Sequence, residues 1–190
     1  MEIVGLDRLD NAQRTEASRI LRQAIAGPAY KQPGEAEAET ASFLACDERF
    51  ALAAVDGSAV RGWIGAVRGY SHALQLHPVV VDPPWHRRGI GRALVAALEE
   101  RAAAEGYLTL HLGTDDEVGG TNLFGVDLFP DVLAKLSAIQ PSPAGHPFFF
   151  YRCLGYEPVG LLPDANGFGK PDILMAKRIA KGQRAIESEA

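Results

Sequence analysis

Residues 85–98 read WHRRGIGRALVAAL: arginines beside two glycines one residue apart, then apolar residues at helical spacing. The segment before it, ALQLHPVVVD over residues 73–82, reads as a strand. After the helix, Gly106 stands where a left-handed cap would, and YLTLHLG over residues 107–113 resumes extended structure. Residues 73–113 therefore make a strand, helix, strand crossover whose two strands lie parallel or nearly so. A helix start offers unpaired N–H groups and a partial positive charge, and glycines let that backbone approach an anion closely. His86 to Arg92 has the makings of a phosphate cradle.

Working outward, residues 2–6 read as a strand and 10–25 as a helix ended by Gly27-Pro28. Residues 33–46, rich in Ala and Glu, predict a second helix. RFALAAVDGSAVRGWIGAVRGY over residues 49–70 reads as two strands around the Asp56-Gly57 turn. Residues 114–145 form a long connection with irregular Pro and Gly and a helical turn or two around DVLAKLSAI; a connection of that length tends to be functional. A helix over 147–154 begins with Pro147 and ends before Gly155, with His146 placed to cap it. Closing strands over 156–162 and 172–178 flank PDANGFGKPD, and the last residues read as a frayed tail.

A length of 190 residues with 47% hydrophobic content supports one sizeable core. The formal charge of −5 argues against a general nucleic-acid binder, which needs clustered Lys and Arg, and suits a cationic partner. The two cysteines, Cys46 and Cys153, have no zinc-site spacing and fit a reducing cytoplasm. No metal, nucleotide or redox cofactor is indicated. The acidic N-terminus lacks the pattern of a secretory signal, and no stretch reads as a membrane span, so the expectation is a soluble cytoplasmic protein.

Among phosphate motifs, the P-loop is absent, and the dinucleotide fingerprint fails because Leu94 stands where its third small residue belongs. The chain resembles the GNAT superfamily of N-acetyltransferases, whose signature is Gln/Arg-x-x-Gly-x-Gly/Ala at a strand-to-helix turn. Here it reads His86-Arg87-Arg88-Gly89-Ile90-Gly91, departing at the first position. The strand ending Val79-Val80-Val81, the downstream FYRCLGY over 150–156 and the order of elements carry the resemblance over residues 2–179. It implies an α/β (α+β) GNAT fold: a mixed sheet of about six to seven strands, splayed between the fourth and fifth, flanked by about four helices. It also implies one acetyltransferase domain over 1–179, with 180–190 as a tail. LGTDDE over 112–117 and HPFFFYRCLGYEPVGLLPDANGFGKPDILMAKRI over 146–179 are similar to the aminoglycoside 6'-N-acetyltransferase group.

That resemblance implies acetyl-CoA as cosubstrate, its diphosphate held by the backbone of Arg87, Arg88, Gly89, Ile90, Gly91 and Arg92. The pantetheine arm would lie along Val79, Val80 and Val81, with the Val81 amide as oxyanion donor. Tyr151 holds the family position for protonating the departing thiolate. A charged amine must lose a proton before it attacks, which requires a base. Asp115, Asp116 and Glu117 lie just past strand 107–113, where a crossover opens a ligand crevice, and Asp115 is the expected base. Asp164, Asn166 and Asp172 flank a loop that borders the acceptor site in this superfamily, so Asp164 and Asp172 join them as acceptor contacts. Turn formation explains the same acids equally simply. Cys153 reads as a buried apolar thiol, His77 and His111 as packing or surface, and His86 as a residue within reach of a coenzyme phosphate.

The expected activity is acetyl transfer to the 6'-amine of an aminoglycoside by direct attack. A peptide or protein amine, a polyamine, and a non-catalytic acetyl-CoA sensor stay open as alternatives. The apolar closing strands leave room for a homodimer.

Overall fold

A computed structural model describes residues 1–25 and 27–180. The expected tail at 180–190 thus lies outside the described residues from 181 onward. The strands are β1 (Glu2–Gly5), β2 (Arg49–Asp56), β3 (Ala59–Arg68), β4 (Ala73–Val81), β5 (Thr109–Asp115), β6 (Glu157–Leu162) and β7 (Asp172–Arg178). The α-helices are α1 (Asn11–Ala24), α2 (Glu35–Ala45), α3 (Ile90–Ala104), α4 (Val132–Ser137) and α5 (Pro147–Cys153). Among the described residues, seven strands match the upper expectation, and the short α4 makes five α-helices where about four are expected. Among the described residues no helix is long and apolar enough to cross a membrane.

The strand order is β1-β2-β3-β4-β5-β7-β6, and β4–β5 is the parallel pair. Local chemistry explains most boundaries. Asp10 and Gln13 form a reciprocal capping box at the start of α1. Gly106 has φ +91° after α3, as a left-handed cap requires. Strand β5 starts and ends two residues later than expected. The amides of Tyr107 and Leu108 bond the carbonyls of Ala102 and His72, while Thr114 and Asp115 pair with Ile173 and Asp172 of β7.

Two apolar layers hold the sheet. Leu6, Ile20, Leu21, Phe43 and the fully buried Trp63 pack α1 and α2 against β2 and β3, and Trp63 Nε1 donates to the Ala17 carbonyl at 3.0 Å. On the opposite face Ile90, Leu94 and Leu98 of α3 and Phe148 and Tyr151 of α5 meet Leu74, Leu110, Leu112 and Met175. Strands β2 and β3 are covered on both faces over most of their length, whereas β4 buries alternate residues only. By contrast, Gly113, Asp115 and Leu174 are exposed on the face of β5 and β7 opposite α5. That uncovered face becomes the groove described below.

One irregularity redirects β4. Its register against β3 shifts between Ile64 and Ala66, opposite His77-Pro78, where proline supplies no N–H to the ladder. Before the shift, Leu74 and Leu76 face the α3 layer; after it, Val79 and Val81 do, and Val80 faces α1. An extra residue reverses the parity of a strand. Gly65 fits this bulge because a Cβ there would sit 2.3 Å from the His77 carbonyl oxygen. The β4–β5 pairing covers only Ala73–Thr109, Leu74–Leu110 and Gln75–His111, then stops just before the bulge, so the two strands part.

Candidate functional site

The cradle expected at His86 to Arg92 is built from two left-handed residues. Arg87 has φ +62° and Gly89 φ +83°, and α3 begins immediately after. Among the described residues the amides of 87 to 92 find no acceptor in the protein; the first to close is Ala93, whose N–H donates to the Gly89 carbonyl at 3.0 Å. Successive free amides around left-handed residues form a concave anion site, and the helix dipole reinforces it. Gly91 lets α3 approach α5 and β4, since a Cβ there would meet Phe150 at 3.3 Å and Val81 at 3.7 Å. The His86 Nε2 lies 2.9 Å from the Val81 carbonyl and ties the loop to β4. Buried Asp82 anchors the strand end through two 3.1 Å bonds from Arg19.

From that loop the backbone leads into the opening between β4 and β5. The Asp82 amide donates to Arg61 of β3, and the Val80 carbonyl crowds Gly62, so these groups point into the β3 ladder. Alternation then turns the N–H and C=O groups of Val79 and Val81 away from β3, toward the opening. Val81 carries the expected oxyanion amide, and Val79 presents a second one facing the same way.

On the uncovered face of the sheet lies an open groove of about 670 Å³, lined among others by Gln75, His77, His111, Asp115, Asp172 and Leu174. Asp115 and Asp172 stand directly opposite each other in the β5–β7 register. Asp115 is exposed, and its Oδ1 accepts from the Asn166 amide. Asp172 is half-buried, its Oδ1 is buried without a partner, and burial followed by the nearby Asp115 charge pushes its pKa up to about 6. Burial also lowers the pKa of His111. His77 Nε2 lies 3.2 Å from the Tyr30 hydroxyl and 3.6 Å from Glu39. An anion cradle, a split pair of central strands and an acidic groove thus converge on the ends of β4 and β5.

The model of the acetyltransferase (GNAT) family matches residues 16–124. The chain belongs to the GNAT acetyltransferase family. It is similar over 96% of its length to an aminoglycoside 6'-N-acetyltransferase solved with coenzyme A, at 39% identity and TM-score 0.88, covering 99% of that chain. An aminoglycoside 6'-N-acetyltransferase from Enterococcus faecium is 38% identical, with TM-score 0.85, over 96% of this chain and 99% of that one. The ribosomal-protein-S18-alanine N-acetyltransferase from Escherichia coli, 18% identical with TM-score 0.65 over 97% of each chain, shares the fold. A comparison with curated protein sequences gives no match. This GNAT enzyme is therefore an acyltransferase with acetyl-CoA as cosubstrate.

Not every acid expected at the acceptor site of this acetyltransferase faces the groove. Asp116 is fully buried: its carboxylate accepts from the amides of Gly120 and Thr121 at 2.8 Å each and from the Thr121 hydroxyl at 2.7 Å. It shapes the turn after β5, and in this arrangement its carboxylate is turned inward rather than toward the groove where an acceptor contact is expected. Glu117 is half-buried against Gly27. Asp164, at φ +55°, caps its own loop by accepting from the Gly169 amide at 2.7 Å.

Tyr151 of α5 is buried beside Phe150 and Tyr156, and desolvation raises its pKa far above the usual phenol value. His146 caps α5 as expected: its Nδ1 accepts from the Phe148 amide at 3.2 Å, while Nε2–H donates to the Asp115 carbonyl at 3.0 Å. Cys153 is exposed, not buried, because it falls on the outer side of α5. His77 and His111, expected as packing or surface residues, line the groove together with Gln75, for which the sequence gives no expectation. The available signal was polar residues at two-residue spacing on a central strand, Gln75 and His77, beside a second polar position on its parallel neighbour.

Proposed function

We propose that this acetyltransferase transfers acetyl from acetyl-CoA to the 6'-amine of an aminoglycoside by direct attack. The observation that carries this reading is the groove floored by Asp115 and Asp172 on one side of the β4–β5 split, with the free amides of the 86–92 loop at the neighbouring strand end. Similarity to two aminoglycoside 6'-N-acetyltransferases over 96% of the chain supports the acceptor class. In this reading the loop amides hold the coenzyme diphosphate, and the arm runs along β4 beside Val79 and Val81. One of those amides stabilises the oxyanion as the amine attacks the thioester carbon. Asp115 and Asp172 receive the cationic amino sugar, and one of them removes the ammonium proton.

Burial keeps the Tyr151 phenol protonated, so its role is to donate a hydrogen bond to the departing thiolate rather than to surrender a proton. Protonating a thiolate from so weak an acid would be uphill.

The test is thiol release from acetyl-CoA with two aminoglycosides that differ only in an amine or a hydroxyl at the 6' carbon. The proposal requires turnover with the amine and at least a 100-fold lower rate with the hydroxyl. Equal rates refute the 6' assignment.

A further inference from the structure

We infer that Asp172, rather than Asp115, accepts the proton from the acceptor ammonium, while Asp115 holds the cation in place. This deepens the acetyltransferase reading above and rests on it. Two carboxylates directly opposite each other on neighbouring strands repel, so they cannot share one role at neutral pH.

Their surroundings decide between them. Asp115 is exposed to solvent, and its Oδ1 already accepts a hydrogen bond from the Asn166 amide. Asp172 lies against the bare backbone of Gly113, where a Cβ would be 2.4 Å and 2.7 Å from its two oxygens. No donor reaches its buried Oδ1 among the described residues. Among the described residues, the other titratable groups lining the groove are Tyr70, His77 and His111, and no Lys or Arg lines it. Burial first and then the Asp115 charge push Asp172 up to about 6, and a hydrogen bond from the Thr114 backbone offsets only part of that rise. A base in that range takes a proton readily and returns it to water at neutral pH.

The step balances without another reactant. The Asp172 carboxylate removes one proton from R–NH₃⁺, and the freed lone pair forms the C–N bond to the thioester carbon. The adduct nitrogen loses its second proton as the C–S bond breaks. The electron pair leaves on sulfur, which takes up that proton to give free thiol. Amide and thiol result, and Asp172 releases its proton to solvent.

The experiment is the pH profile of kcat/KM for wild type, Asp172→Asn and Asp115→Asn, followed by thiol release with an aminoglycoside. Wild type should lose activity below a limb near pH 6. Asp172→Asn should lose that limb and fall about 100-fold at neutral pH. It should recover to within about fivefold of wild type above pH 9, where the amine is already neutral. Coenzyme A binding by calorimetry should match wild type. Asp115→Asn should raise the acceptor KM about tenfold or more and move the limb to lower pH, because the like charge is gone.

An Asp172→Asn enzyme that keeps the limb and stays within threefold of wild type overturns the assignment, as does loss of the limb in Asp115→Asn instead. If Asp172→Asn fails to fold, the Asp115→Asn arm still decides: an unmoved limb overturns the inference. Wild type that releases no thiol with any amine overturns the acetyltransfer reading itself and this inference with it.

Discussion

Gly113→Ala places one methyl group where the Asp172 carboxyl now lies. The added Cβ would sit 2.4 Å from Oδ2, 2.7 Å from Oδ1 and 2.9 Å from Cγ. An ordinary carbon–oxygen approach is about 3.4 Å, so the carboxyl must retreat by roughly 1 Å. Asp172 has only two side-chain torsions, and its backbone is paired on both sides by β5 and β6, so the displacement falls on the carboxyl itself.

Misplacement of a reacting group by that distance costs about 100-fold in rate, equivalent to about 2.7 kcal/mol of barrier. Stability should hardly change. Replacing glycine in a strand gains about 0.5–1 kcal/mol, and an off-rotamer aspartate costs a similar amount. The predicted signature is therefore a kcat about 100-fold lower at saturating acetyl-CoA and aminoglycoside, with urea-unfolding free energy within about 1 kcal/mol of wild type. A kcat within threefold of wild type would refute the argument that the Asp172 carboxyl must sit where this backbone allows it.

Gly89→Ala puts a side chain at φ +83° with nothing within 4 Å, so it acts through backbone strain alone. It should cost about 1–2 kcal/mol of stability and raise the KM for acetyl-CoA several-fold; Gly57→Ala, at φ +63° in the β2–β3 turn, should cost similar stability with no change in KM. Asp116→Asn removes one acceptor oxygen from a buried carboxylate that satisfies three donors. Urea unfolding should show a loss of about 2–4 kcal/mol, and a loss under 0.5 kcal/mol would mean the turn does not depend on the charge.

Asp172→Asn should unfold at a higher temperature than wild type at pH 8. The sign follows from linkage: a carboxyl whose pKa is about 6 when folded and about 3.9 when unfolded binds protons better in the folded state. Wild type therefore loses stability as pH rises from about 4 to 6, and the advantage of the Asn variant, read by thermal melts, should disappear near pH 4.

The local features of this protein were legible in its residues. Gly89 and Gly91 between a β-branched run and an apolar helix mark the anion loop, and Asp56-Gly57, Gly106 and the His146-Pro147 pair mark a turn and two helix ends. Each depends on φ preferences and hydrogen bonds that close within a few residues. Side-chain direction was not legible in the same way. Asp115 and Asp116 are adjacent and chemically alike, yet one faces the groove and the other is buried by donors from Gly120 and Thr121. His77 and His111 meet in one groove only because β4 and β5 are parallel neighbours.

The partnership of Asp172 with Asp115 was likewise a matter of register, set by β7 inserting between β5 and β6. Sequence periodicity announces which residues alternate. Which face is covered, and where a bulge reverses that alternation, depends on packing between segments far apart in the chain, and that is where the chemistry of this site was decided.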